Sequence, residues 1–60
     1  MIESYVILLD GRPIRAYQSN FVAGNNMYAM KLKYGKEKLK MDRMKLTTEE
    51  FVQINQIILK

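Results

Sequence analysis

The 60-residue sequence predicts a small α+β domain: an antiparallel β-meander of three to four strands with one C-terminal α-helix packed on it. Apolar and polar residues alternate over several short segments, glycine-containing turn sequences separate those segments, and a helix-capping sequence precedes the C-terminal segment. We expect the order β-β-β-β-α within a single domain, residues 1–60, because a chain of this length has no room for a second domain.

The first two strands are predicted from the segment IESYVILL and the turn that follows it. Asp10-Gly11 between apolar runs is a strong hairpin signal, because a type I′ turn needs a positive φ at both central residues. With a two-residue loop and regular pairing, Tyr5 faces Ala16. Pro13 has no N–H to donate, so the second strand is expected to be an edge strand or to be bulged there.

The middle of the chain is predicted to form two further strands. The second strand extends over Ile14–Val22, a turn follows at residues 24–26, and alternation of apolar side chains predicts a third strand over Met27–Tyr34. A turn at Gly35 and the inward pair Leu39 and Met41 predict the fourth strand.

The alternation changes phase within that fourth segment, since Met44 and Leu46 fall on the other parity. A β-bulge at Asp42-Arg43, or the end of the strand there, would account for the change. A helix over residues 27–44 is the alternative, because its methionines are spaced close to a heptad and its residues are good helix formers. Gly35 lies in the middle of that helix and favours the strand interpretation.

The C-terminal helix has the clearest signal in the chain. Thr47 and Glu50 have the spacing of a capping box, and Leu46 and Phe51 have the spacing of a hydrophobic staple. The helical segment contains more large apolar residues than a surface helix needs. Because a core of this size contributes little net stability, we expect a homodimer that self-associates through Val52, Ile57 and Leu59.

Basic residues are concentrated in residues 27–46, which hold seven of the ten basic side chains and two of the six acidic ones. This segment carries a net charge of +5, whereas the rest of the chain carries −1. Such a charge favours binding to polyanions, and it also keeps a small protein in solution.

Several classes of function have no support in the sequence. The chain has no cysteine and no histidine, so the usual nucleophile, general base and metal ligands are missing. We expect no enzyme activity, no cofactor and no metal. There is no signal-peptide pattern and no apolar run long enough to cross a bilayer, so we expect a cytoplasmic protein with no membrane span.

The composition therefore predicts a small basic non-catalytic binding protein that contacts nucleic acid non-specifically through a Lys-rich β-hairpin. On strand geometry Lys31 and Lys33 project from one face, and tyrosines nearby offer stacking surfaces. The candidate contact residues are Lys31, Lys33, Lys36, Lys38, Lys40, Arg43, Lys45, Arg15 and Tyr17.

Two other interpretations stay open. The protein could be an inhibitor or regulator, of the kind that phages and mobile elements encode, that docks on an acidic surface of a host protein. Alternatively, the lysines could be the solvent face of a half-buried hairpin and serve to protect a sheet edge from aggregation.

Overall fold

The computed structural model describes residues 1–59, which form three strands and two helices joined by short connections. In chain order these are β1 (Ile2–Leu9), β2 (Arg12–Tyr17), α1 (Asn20–Tyr34), a 3₁₀ turn (Lys36–Lys38), β3 (Leu39–Leu46) and α2 (Thr48–Asn55). The α+β class is confirmed. The predictions of a fourth strand and of a single helix are wrong, because α1 occupies the place of the predicted third strand.

The sheet has the strand order β2-β1-β3, with β1 in the centre and antiparallel to both neighbours. β2 and β3 therefore run parallel to each other. Parallel strands need a long crossover connection, usually a helix. The 15-residue helix α1 makes this connection, so the chain is not a simple meander.

The hairpin between β1 and β2 turns at Asp10 and Gly11, whose φ angles are 52° and 82°. Both are positive, as the type I′ turn requires, and this prediction is confirmed. The edge position of β2 and its irregularity next to Pro13 are also confirmed, since β2 ends the sheet and the register shifts there.

The register shift moves one residue of β2 out of the regular pairing. Leu8 faces Pro13, but Ile7 faces Arg15, so Ile14 is the extra residue of a β-bulge. Beyond the bulge Tyr5 faces Tyr17. The predicted pairing of Tyr5 with Ala16 is therefore wrong by one residue.

The central strand is buried on both faces. The adjacent residues Val6 and Ile7 point to opposite sides of the sheet, and both have 0% of their surface exposed. We call the two sides the α2 face and the α1 face, after the helix that covers each. The α2 face packs Val6, Ala16, Leu46, Leu8, Met44, Phe51 and Ile54 together. The α1 face packs Ile7, Ile14, Leu39, Leu9, Tyr17, Met27, Met30 and Leu59 together.

This division explains the phase change in β3. Leu39 lies in the cluster under α1, whereas Met44 and Leu46 lie in the cluster under α2. The pairing of β3 with β1 is unbroken from Leu39 to Leu46, so the predicted bulge or strand end at Asp42-Arg43 is wrong. The two ends of β3 therefore point different sets of side chains into the core, because α1 covers one end and α2 covers the other.

The helix α1 begins and ends with ordinary capping interactions. The Ser19 hydroxyl accepts a hydrogen bond of 3.3 Å from the amide of Val22, and Gly35 ends the helix with a φ of 98°. The predicted turn at residues 24–26 is wrong, because these residues lie inside α1. The helical alternative holds for Met27–Tyr34 and fails beyond Gly35.

The helix α2 begins as predicted. The Glu50 amide donates to the Thr47 hydroxyl over 3.1 Å, and the Thr47 amide donates to a Glu50 carboxylate oxygen over 2.8 Å. This capping box is confirmed, and so is the staple, since Phe51 packs against the cluster that contains Leu46.

The segment that ends α2 closes over the free edge of β2. The Asn55 side chain accepts a hydrogen bond from the Ala16 amide over 2.8 Å and donates one to the Ala16 carbonyl over 3.0 Å. Arg15 Nη1 donates to the Ile57 carbonyl over 2.8 Å, and Leu59 packs in the cluster on the α1 face. The C-terminal segment thus passes around this edge and satisfies backbone groups that an edge strand leaves unpaired.

The double hydrogen bond of Asn55 leads to a stability prediction. Asn55→Ala removes both bonds to Ala16, and we expect it to lower the free energy of unfolding by about 1–3 kcal/mol. Asn55→Asp keeps the acceptor for the Ala16 amide but places a carboxylate oxygen against the Ala16 carbonyl, so it should destabilise the fold at least as much. Urea unfolding followed by circular dichroism measures both. Gln53→Ala, at an exposed position of the same helix, is the control and should change stability by less than about 0.5 kcal/mol. Equal effects at the two positions would contradict the role of Asn55.

Candidate nucleic-acid interface

One part of the α1 face combines aromatic and basic side chains at the border of the core under α1. The β-bulge places Tyr17 opposite Tyr5, and Tyr5 is paired on its other side with Arg43. These three residues therefore form one row across β2, β1 and β3. In the same register Lys45 lies opposite Glu3. We call Tyr5, Tyr17, Arg43 and Lys45 the tyrosine–arginine surface.

The members of this surface differ in their exposure. Arg43 and Lys45 are exposed, whereas Tyr5 and Tyr17 are half-buried. Directly opposite residues in antiparallel strands have Cβ atoms about 4.5–5.5 Å apart, so the side chains of Tyr5 and Tyr17 start from adjacent positions on the sheet. A shallow depression of about 150 Å³ lies at the β3 edge beside this row and is lined by Glu3, Arg43, Met44 and Lys45.

Tyr17 connects the surface to the core. Its ring packs against the cluster that contains Ile7 and Ile14. Burial raises the pKa of the Tyr17 phenol above its ordinary value, and the positive charge of Arg15 offsets part of that rise. A tyrosine whose pKa is about 10 or higher is neutral at physiological pH, so Tyr17 adds no negative charge that would repel a polyanion.

The other predicted contact residues lie elsewhere. Lys31 and Lys33 are on the last turn of α1, where residues two apart point in very different directions. The predicted row of Lys31 and Lys33 on a strand is therefore wrong. The Nζ atom of Lys33 lies 5.2 Å from the centre of the Tyr34 ring.

The remaining lysines are also separated from the tyrosine–arginine surface. Lys36 and Lys38 belong to the 3₁₀ turn, beside the hairpin, where the Lys38 carbonyl accepts a hydrogen bond from the Asp10 amide. Lys40 is opposite Leu8, on the α2 face. The basic segment that is continuous in sequence is thus divided among a helix end, a turn and both faces of β3.

Arg15 and the residues predicted for self-association have defined places as well. Arg15 holds the C-terminal segment through the Ile57 carbonyl. Val52 and Ile57 are 46% and 40% exposed, whereas Leu59 packs against the chain's own core.

Sequence reasoning named Tyr17, Arg43 and Lys45 but did not place Tyr5 beside them. In the regular register predicted for the hairpin, Tyr5 and Tyr17 point to opposite faces. The extra residue at Ile14 reverses the side on which Tyr17 lies, because side chains alternate with a period of two. Pro13 was the available signal, since it indicated an irregularity at that point of β2.

Among residues 1–59, no three or more acidic side chains lie together in a way that could hold a metal ion. The helices in this part of the chain are too short or too polar to cross a bilayer. Comparisons of the chain with protein-family models, curated proteins and solved structures found no match. A proposal about function therefore depends on the geometry alone.

The raised pKa of Tyr17 leads to a prediction at alkaline pH. The folded state holds the phenol proton more tightly than the unfolded chain, in which a tyrosine has a pKa of about 10. This contribution to stability is fully present below pH 10 and is lost as the pH rises through the raised pKa. We expect Tyr17→Phe to reduce the fall in unfolding free energy between about pH 9 and pH 11. Urea unfolding across this range is the measurement. An unchanged fall in Tyr17→Phe would contradict the assignment to Tyr17.

Proposed function

We propose that this chain is a non-catalytic binding protein that contacts single-stranded nucleic acid through the tyrosine–arginine surface, with little sequence preference. The observation that carries the proposal is the row in which Tyr17, Tyr5 and Arg43 stand side by side across the three strands. This proposal keeps the class of partner expected from the basic composition. It moves the contact from the Lys-rich segment as a whole to one part of the sheet.

The chemistry of the row suits an unpaired strand. Tyrosine rings give stacking surfaces for bases, and each base–aromatic stack contributes about 1–3 kcal/mol. Arg43 and Lys45 are exposed cations at one end of the row and can contact the phosphates that connect the stacked bases. Neighbouring strands are about 4.8 Å apart, so the row spans roughly 10 Å, enough for two or three nucleotides.

A double helix fits this surface less well than a single strand. Bases in a duplex are already stacked and present only their edges, whereas unpaired bases can lie flat on an aromatic ring. Arginine is the usual reader of guanine edges. Arg15 already binds the Ile57 carbonyl, which leaves Arg43 as the arginine of this surface. We therefore expect weak discrimination between base sequences.

An acidic protein surface is the competing partner, and it corresponds to the inhibitor interpretation of the sequence. Such a surface can match the charges of Arg43 and Lys45, but it has no nucleobases to stack on Tyr5 and Tyr17. Because tyrosine rings also anchor protein–protein interfaces, the two partners are separated by direct binding measurements with oligonucleotides.

Binding itself is tested by fluorescence anisotropy with labelled single- and double-stranded oligonucleotides. We expect the single strand to bind more tightly, and its affinity to fall about sevenfold between about 50 mM and about 200 mM salt, as two phosphate contacts imply. Absence of binding near 50 mM salt, or binding that salt does not weaken, would rule the proposal out. Recovery of one dominant acidic protein from a lysate after nuclease treatment would favour the competing partner.

The charged residues are tested with a matched control. Arg43→Ala and Lys45→Ala should each weaken binding to all sequences and reduce the slope of log affinity against log salt by about 0.7 per lost phosphate contact. Lys40→Ala removes the same charge from the other face of the same strand. It should leave the slope within about 0.2 of the original value. Equal effects of Lys40→Ala and Lys45→Ala would show that net charge, not this surface, governs binding.

The aromatic residue at the centre of the row is tested separately. Tyr5→Leu keeps an apolar side chain of comparable packing but removes the ring, and we expect it to weaken single-strand binding about 5- to 150-fold. Tyr5→Phe keeps the ring and should bind within about threefold of the original chain. Urea unfolding of both variants controls for stability. Unchanged affinity in Tyr5→Leu, with the fold intact, would exclude stacking on this surface.

A further inference from the structure

The helix α1 is apolar on two opposite sides. Its inner side packs Met27 and Met30 into the cluster on the α1 face. Its outer side carries Phe21, Tyr28 and Leu32, which are 78%, 68% and 77% exposed. At 100° per residue these three side chains fall within an arc of about 40°, so they form a narrow stripe along the helix. Large aromatic and aliphatic side chains in a contiguous exposed stripe mark an interaction site.

Gly24 lies beside this stripe, at a position where an added side chain would meet no other described residue. Glycine in the middle of a helix is less favourable than alanine, so its presence calls for a reason. A methyl group at Gly24 would have no neighbour within 4 Å among the described residues, and the backbone there has an ordinary helical φ. Close packing inside the protomer therefore does not require the glycine. A second helix packed closely against the outer side of α1 would require a glycine at this position.

We infer that the outer side of α1 binds the same surface of a second copy of this chain, with the two helices antiparallel. When the pair is centred between Asn26 and Met27, Phe21 lies opposite Leu32 of the second copy. Tyr28 then lies opposite Asn25 of the second copy, next to the gap that its Gly24 leaves. Phe21 thus packs against Leu32 and Tyr28 fills the space beside Gly24, and the contact is the same in both directions, as a two-fold symmetric dimer requires.

The exposed area is sufficient for such a dimer. A buried aromatic side chain covers about 150–250 Å². The three side chains of the stripe offer on the order of 400 Å² per copy. Two copies would bury about 800 Å² in total, which is the size of a weak, reversible protein–protein interface.

The charges of α1 favour the antiparallel arrangement. The helix has no acidic residue, and its basic residues Lys31 and Lys33 lie in the last turn. In a parallel pair the lysines of the two copies would lie side by side. In the antiparallel pair they are about 14–20 Å apart along the axis at 1.5 Å per residue, beyond the Debye length of about 8 Å at physiological salt.

This inference changes the location of the dimer contact expected from the sequence. Val52 and Ile57 are less exposed than the stripe, and Leu59 packs within its own protomer. The inference does not depend on the proposed nucleic-acid contact, because the tyrosine–arginine surface and the outer side of α1 share no residue.

The test is sedimentation equilibrium of the full chain without nucleic acid, from about 1 μM to about 1 mM. We expect a reversible transition to a mass of about 14 kDa, twice the 7.1 kDa of one chain. Leu32→Glu and Tyr28→Glu should each raise the dimer Kd about 100-fold or more. Ile58→Glu places the same charge on a residue that is 86% exposed and lies outside α1. It should change the Kd by less than about threefold.

Gly24→Ala separates the dimer contact from folding, because its two expected effects have opposite directions. The added methyl should raise the dimer Kd about tenfold by filling the gap beside Tyr28 of the second copy. It should also raise the urea midpoint of the dilute monomer, since alanine favours the helix. A monomeric mass at all concentrations would overturn the inference. So would a dimer that Leu32→Glu leaves intact and Val52→Glu disrupts.

Discussion

The burial of β1 on both faces is the constraint on which the rest of the structure depends. Val6 and Ile7 are adjacent and fully buried, and adjacent residues of a strand point to opposite sides. The sheet must therefore be covered twice, by a chain of only 60 residues. The fold meets this requirement with two short helices, one on each face, and with a crossover connection that makes β2 and β3 parallel.

Two short helices cannot cover both faces of the sheet completely. Under α1 the core lies at the hairpin end, around Ile7 and Leu39, whereas under α2 it lies at the other end, around Val6 and Leu46. The tyrosine–arginine surface lies on the α1 face at the end away from the hairpin, where Tyr17 joins it to the core under α1. The candidate site thus results from the way in which two short helices cover different ends of the sheet. The same shortage of cover leaves the outer side of α1 exposed and apolar, which suits a second copy.

The two edges of the sheet are managed differently. The Asn55 side chain and the segment after it close the β2 edge through Ala16 and the Arg15 guanidinium. The β3 edge instead carries charged side chains, including Lys40, Arg43 and Lys45, which disfavour pairing with another strand. The charges proposed to contact nucleic acid therefore also protect an edge, so the two interpretations of the basic segment are compatible.

The sequence by itself determined the features that depend on local chemistry. The turn at Asp10-Gly11 follows from its need for positive φ, and the start of α2 follows from the capping box of Thr47 and Glu50. Only the tertiary structure decided that the segment of α1 is a helix, because a helix with apolar residues on two sides shows the same alternation in sequence as a strand. It decided the candidate site as well, because a single extra residue at Ile14 places Tyr17 beside Tyr5. A β-bulge changes the local free energy of a strand little, so the local sequence does not determine its position. The position depends on which side chains the core can bury, and only the packed sheet with its two helices defines that.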